Sequence, residues 1–164
     1  MRYLWTNRMG YLRGMGNKKR GCIFCNIAEG KDKENMVIYK DDKVCVIMNR
    51  YPYNTGHILI APLKHYKTIE EMPTQEYEWL CEIMRRSLRV LKAALSPLGF
   101  NIGLHIGGEI VGATFEHVHF HVVPRFRRDL GFMETTANTK VMPQSLEDTY
   151  KEIMAHASLF KEQV

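Results

Sequence analysis

Three histidines recur at every second position in Glu116-His117-Val118-His119-Phe120-His121-Val122-Val123-Pro124-Arg125. Side chains of an extended segment alternate faces, so His117, His119 and His121 share one face and Val118, Phe120 and Val122 the other. One face is then apolar core and the other a row of imidazoles about 6.7 Å apart, from the ~3.3 Å rise per residue. Two like charges at that spacing repel by about 2.5 kcal/mol at an effective dielectric of 20, nearly two pKa units. Such a row cannot be fully protonated near neutrality. At least one imidazole stays neutral and nucleophilic while a neighbour can hold a proton, the pairing that attack on phosphorus with proton donation to a leaving group requires. The same spacing also suits a metal site, and a merely solvated row is the plain alternative.

Short strands and one long helix are available to position this row. Residues Met36 to Tyr39 and Val44 to Asn49 are apolar or β-branched runs separated by the turn-forming Asp41-Asp42, a hairpin signal. A third run, His57 to Ala61, lies between the breakers Tyr51-Pro52-Tyr53-Asn54-Thr55-Gly56 and Pro62. A helix starts at Thr74, with Glu76 and Glu78 in its first turn. Leu80, Met84, Leu88, Leu91 and Leu95 then recur at steps of three and four before Pro97 ends it. Phe100 to Ile106 and Glu116 to Val123 read as two further strands joined by a loop from Gly107-Gly108 to Gly112, and Leu146 to Phe160 as a terminal helix. Cys22 to Glu29 forms one short helical turn closed by Gly30. This order predicts an antiparallel sheet with helices on one face, the α+β pattern, more readily than alternating βαβ units.

The 164 residues, 45% hydrophobic and 25% charged, predict a single domain over residues 21–164 behind a basic N-terminal arm, residues 1–20. No stretch approaches the ~20 apolar residues of a membrane span, and the N-terminus lacks a secretion-signal core, so a soluble, cytoplasmic chain with no membrane partner is expected. The arm holds Arg2, Arg8, Arg13, Lys18, Lys19 and Arg20 and no acid, which accounts for the whole net charge of +5 and leaves the body nearly neutral. Its Tyr3, Leu4, Trp5, Tyr11 and Leu12 favour docking on the body or on a second subunit at least as much as contact with a phosphate backbone; nucleic acid is not the expected partner. The 4 cysteines do not suggest a disulfide framework, and Cys22-x-x-Cys25 is the one pair with metal or redox spacing.

The run HVHFHVVPR resembles the signature of the histidine triad superfamily of nucleotide hydrolases and transferases. Asn49-Arg50-Tyr51-Pro52 through Thr55-Gly56-His57-Ile58-Leu59-Ile60-Ala61-Pro62 is similar to that family's second hallmark, an Asn-led loop followed by Gly-His and an apolar strand. The resemblance covers residues 21 to 126. LWTNRMGYL, GFNIGL at Gly99 to Leu104 and DLGFMETTANTKVMPQ at Asp129 to Gln144 are further similar to members related to diadenosine tetraphosphate phosphorylases, while Asn49-Arg50 and the ending through Pro124-Arg125 are similar to the fragile histidine triad proteins, so the resemblance points to the branch of these two groups. It implies a five-stranded antiparallel sheet with a long helix and a C-terminal helix, a homodimer or larger homo-oligomer, and a nucleotide or dinucleoside polyphosphate as substrate.

Carried over position by position, the resemblance makes His119 the nucleophile on the α-phosphorus, forming a nucleotidyl-histidine intermediate. His121 assists the leaving group and His57 buttresses the triad. Asn49 holds the ribose. Gly107, Gly108 and Gly112 allow close backbone approach to phosphate, although a Gly-rich hairpin loop is the commoner reading of such a stretch; Thr114 stands where members often place a hydroxyl near the phosphate, and Val37, Ile38 and Ile47 are candidates for the base pocket, with ordinary core the plainer reading of each. His105 stands near the position where relatives often carry an amide, and Ala113 where many hydrolases carry Gln. Cys22, Cys25, His65 and His117 match the ligands of a structural zinc in zinc-containing members, which would make His117 a ligand and not an acid; no catalytic metal is expected. Hydrolysis or phosphorolysis of diadenosine tri- or tetraphosphate is the leading expectation. A nucleoside phosphoramidate hydrolase and a nucleotide-binding regulatory protein with little activity are the alternatives.

Overall fold

Runs of alternating apolar residues build a central sheet. In the computed structural model, which describes residues 21–32, 35–106, 116–127, 129, 131–137 and 139–162, the strands are β1 Val37–Lys40, β2 Val44–Met48, β3 Ile58–Pro62, β4 Gly99–Leu104 and β5 Phe120–Arg125. All pairs are antiparallel, in the order β1-β2-β3-β5-β4. Helices α1 Ile23–Ala28, α2 Thr74–Leu95, α3 Phe132–Ala137 and α4 Leu146–Met154 complete the α+β architecture, with 3-10 turns at Ile69–Glu71 and Ala157–Phe160. Among the described residues no helix is long and apolar enough to cross a membrane. The basic arm and the Gly107–Gly112 loop lie outside the described residues.

Strands β2 and β3 are buried at every position, so both faces of the sheet are covered, by different partners. Val44, Val46, Met48, Ile58, Ile60, Phe120 and Val122 pack with Leu80, Ile83, Val90 and Leu91 of α2, closed off by Ile153 and Phe160. Cys45, Ile47, Leu59 and Ala61 face the other way, onto Phe24 and Ile27 of α1. Helices therefore do not lie on one face alone. The small helix α1 caps the second face, and β5 joins that face through His121, whose register partner is Leu59.

Two expected elements are shorter than the periodicity predicts. The histidine strand begins at Phe120, not Glu116, because the preceding backbone bonds elsewhere: Val118 N–H donates to the Tyr66 carbonyl at 2.8 Å. It runs through Pro124, which reads as a breaker. In a strand the N and O of one residue point to the same side, and the β3–β5 ladder has already ended at Ile58–Val122. The Pro124 carbonyl accepts instead from Asn54 Nδ2 at 2.9 Å, so the missing N–H forfeits no ladder bond. The terminal helix breaks after Met154 and resumes as the Ala157–Phe160 turn, which swings Phe160 into the core and stacks it on Tyr39 at 4.7 Å.

Candidate active site

The hydrogen bonds around the histidines fix which nitrogen carries each proton. The backbone N–H of Tyr53 can only donate, and it lies 3.0 Å from His57 Nδ1, which therefore accepts. A neutral His57 then holds its proton on Nε2 and donates to His121 Nδ1 at 3.0 Å. His121 in turn keeps its proton on Nε2, a buried donor with no partner among the described residues. His119 has the opposite arrangement. Its Nδ1–H donates to the backbone carbonyl of His117 at 2.7 Å, which leaves the lone pair on Nε2. The two rings have centroids 4.9 Å apart, so a lone pair and an N–H donor stand side by side.

Electrostatics keep these rings neutral, chiefly through burial. Desolvation, followed by the charges of His121 and His119, pushes His57 down to about 3. Burial and then the charges of His119 and His105 push His121 down to about 4. His119, only 5% exposed, is lowered for the same leading reason. Mutual repulsion along the row, the cause inferred from spacing, ranks below desolvation. An anionic phosphate entering between them would favour the protonated form of a neighbouring ring.

His117 belongs to a different constellation. Its Nε2–H donates to the Pro62 carbonyl at 2.8 Å, which turns the Nδ1 lone pair toward Cys22 Sγ at 3.3 Å and Cys25 Sγ at 3.8 Å. His65 Nδ1 approaches Cys25 Sγ at 3.3 Å, and one ligand atom from each of the four residues lies within 4.8 Å of the others. Tetrahedral zinc with Zn–S about 2.3 Å and Zn–N about 2.0–2.1 Å sets S and N about 3.6 Å apart, the middle of the observed range. A carbonyl behind the ligating histidine is the usual second layer of such a site. Without a cation beside it, burial holds the Cys22 thiol up at about 11. These four residues could hold one metal ion.

The other expected residues divide. Asn49 stands beside His57, its Oδ1 accepting from Tyr51 N–H at 2.9 Å and its Nδ2 3.2 Å from His57 Nδ1, so its amide is already engaged in holding the loop. His105 packs against His121 with centroids 4.9 Å apart and the rings tilted by 59°, and its buried Nδ1 has no hydrogen-bond partner among the described residues. Val37 and Ile47 are register partners on the α1 side, whereas Ile38 faces the α2 core and is removed from the expected base pocket. Gly107, Gly108, Gly112 and Thr114 lie outside the described residues. Three contributors escaped the sequence reading. Tyr53 covers His121 and His57, and Asn54 reaches across to Pro124 and to Asp129 Oδ1 at 3.1 Å, tying the loop to the end of β5. All that marked Tyr53 and Asn54 was their place just before Gly56-His57, and Asp129 was marked only as the start of the segment Asp129 to Gln144.

The sheet gathers His57, His105, His119 and His121 into one cluster of imidazoles, and comparison with known proteins identifies the family. Residues 21–132 match the family described as "Scavenger mRNA decapping enzyme C-term binding". The chain is 36% identical over 154 residues to an "AP-4-A phosphorylase" of Mycobacterium tuberculosis, covering 89% of this chain and 79% of that one. It is 35% identical over 132 residues to an HIT-like protein of Methanocaldococcus jannaschii, covering 80% and 98%. Among solved structures, a Zn-bound histidine triad family protein from Mycobacterium smegmatis superposes with a TM-score of 0.69 at 26% identity, covering 86% of this chain and 96% of that one. The chain belongs to the histidine triad superfamily, and its similarity to the phosphorylase fits the diadenosine tetraphosphate phosphorylase-like branch.

Proposed function

We propose that this protein transfers a nucleotidyl group from a dinucleoside polyphosphate through a covalent intermediate on His119. The observation that carries this is the opposed protonation of two adjacent rings: a lone pair on His119 Nε2 and an N–H on His121 Nε2 that has no partner among the described residues. The His119 lone pair attacks the α-phosphorus, and a P–N bond forms as the bond to the leaving phosphate oxygen breaks. That oxygen accepts the His121 Nε2–H hydrogen bond and departs as a phosphate anion, which needs no proton near neutrality. In the second half the acceptor, water or orthophosphate, attacks the same phosphorus as the P–N bond breaks and its electron pair returns to His119 Nε2; a proton released by the acceptor passes to solvent. His57 holds His121 in the donating tautomer throughout, and His105 supplies a further imidazole at the phosphates. Asn49, beside His57, is the residue that the family resemblance assigns to the ribose. The 36% identity to a phosphorylase of diadenosine tetraphosphate supports this substrate class.

Cys22, Cys25, His65 and His117 fit a structural zinc by donor type and spacing. Bound there, the ion would pin α1 to the start of the histidine segment and take His117 out of the chemistry. A homodimer suits the same reading, since β4 is an outer strand with Leu98 and Ile102 exposed beside it.

Incubation with diadenosine tri- and tetraphosphate, with and without orthophosphate, tests the reading through its products. ADP formed only with phosphate identifies phosphorolysis, and AMP formed in water identifies hydrolysis. Turnover confined to an adenosine phosphoramidate would move the assignment to P–N hydrolysis. Binding without turnover of any of these would leave a nucleotide-binding regulator.

A further inference from the structure

Tyr53 is half exposed, at 52%, and of the large exposed apolar side chains among the described residues it is the aromatic one. One ring face is spoken for. It lies nearly parallel to His121, 9° between planes with centroids 5.8 Å apart, and against His57 at 4.7 Å. The backbone N–H anchors the residue to His57 Nδ1, while the phenol hydroxyl bonds to no described residue. The ring is thus positioned by the two imidazoles, without help from its polar end, and about half of the residue stays open to solvent.

The position of that open side relative to the proposed chemistry suggests what covers it. His121 Nε2 is the donor on the leaving-group side, and Tyr53 stacks on that same imidazole. A dinucleoside polyphosphate differs from other substrates of a phosphorus-attacking histidine in carrying a second base beyond its leaving phosphates. Every base offers a π face to an aromatic side chain, and such a contact contributes roughly 1–3 kcal/mol per base.

We propose that the open face of Tyr53 stacks on the base of the leaving nucleotide, so that Tyr53 selects dinucleotides over substrates whose leaving group has no base. This rests on the nucleotidyl-transfer reading above. The test compares diadenosine tetraphosphate with adenosine 5′-tetraphosphate, which has the same phosphate chain and no second base. The kcat/KM ratio of the two should favour the dinucleotide in the native protein, hold within about twofold in Tyr53→Phe, and fall roughly tenfold or more in Tyr53→Leu. An unchanged ratio in Tyr53→Leu, or equal loss on both substrates, overturns the inference, the second outcome making Tyr53 a support for the histidines alone. Calorimetric binding of the two compounds to His119→Ala, with and without Tyr53→Leu, gives the same comparison without turnover. A Tyr53-dependent preference there upholds the inference even if the native protein turns over neither compound, which would sink the transfer reading alone. Equal affinities there overturn the inference even if turnover is confirmed.

Discussion

His57 Nε2 lies 3.0 Å from His121 Nδ1, although 64 residues separate the two in the chain. Register makes them neighbours: Leu59 is opposite His121, and His57 is two residues before Leu59 on the same face of the sheet. A slip of one residue between β3 and β5 would carry one ring to the α2 side and end the contact. The contact decides which nitrogen of His121 holds a proton, so it should govern the rate more than the affinity.

His57→Ala should lower kcat by roughly 10- to 100-fold, the range for losing an orienting partner, with KM changing far less. His57→Gln, whose amide can still donate, should recover part of the loss. Steady-state kinetics on the three proteins is the check, and a change confined to KM would contradict the orienting role.

Stability should fall on acidification, and His57 sets the window. Its folded-state value, near 3, is below the ordinary 6.5, so between these pH values the unfolded chain binds a proton that the folded chain refuses. The contribution is fully present above about pH 6.5 and is lost progressively toward pH 3. From pH 7.5 to 5 the loss from His57 alone should be roughly 2 kcal/mol. Urea unfolding at the two pH values should show a smaller drop in His57→Gln than in the native protein.

One zinc per chain should be recovered by elemental analysis, and Cys25→Ser should release it with a fall in Tm of about 5 °C or more. Cys81→Ser, which alters a thiol outside the cluster, should keep both the metal and the Tm. Equal metal content in the two variants would refute the assignment.

Gly56 closes the turn in which His57 N–H donates to the Asn54 carbonyl, and it does so at φ +76°. A Cβ there would collide with Leu95 Cδ1 and come within 3.2 Å of Pro124 Cγ. Gly56→Ala should therefore cost about 1–3 kcal/mol in denaturant unfolding and reduce turnover by moving His57. Gly103→Ala, where a Cβ meets nothing within 4 Å, should be nearly silent in stability.

Periodicity carried far in this chain where one physical rule governed. Alternation put His121 and Phe120 on opposite faces, and the stripe from Leu80 to Leu95 marked α2 with its observed ends. It fell short where tertiary contacts compete with local preference. His117 and His119 precede the strand because Val118 is bonded to Tyr66 and His117 to Pro62, contacts that no local window contains. Alternation alone could have removed Ile38 from the base pocket, since Val37 and Ile47 share the face it does not. The part played by Tyr53 depends on a ring in the β2–β3 loop meeting His121 of β5, and its residue type gave no hint of that partner.

The central claim, a bond from His119 Nε2 to the α-phosphorus, is tested most directly by acid-quenching the protein seconds after mixing with a dinucleoside polyphosphate and mapping its peptides by mass spectrometry under conditions that preserve P–N bonds. A single nucleotidyl adduct on His119, absent from His119→Ala, is the expected result. An adduct on His121 or His105, or steady turnover with no adduct at any residue, would contradict it.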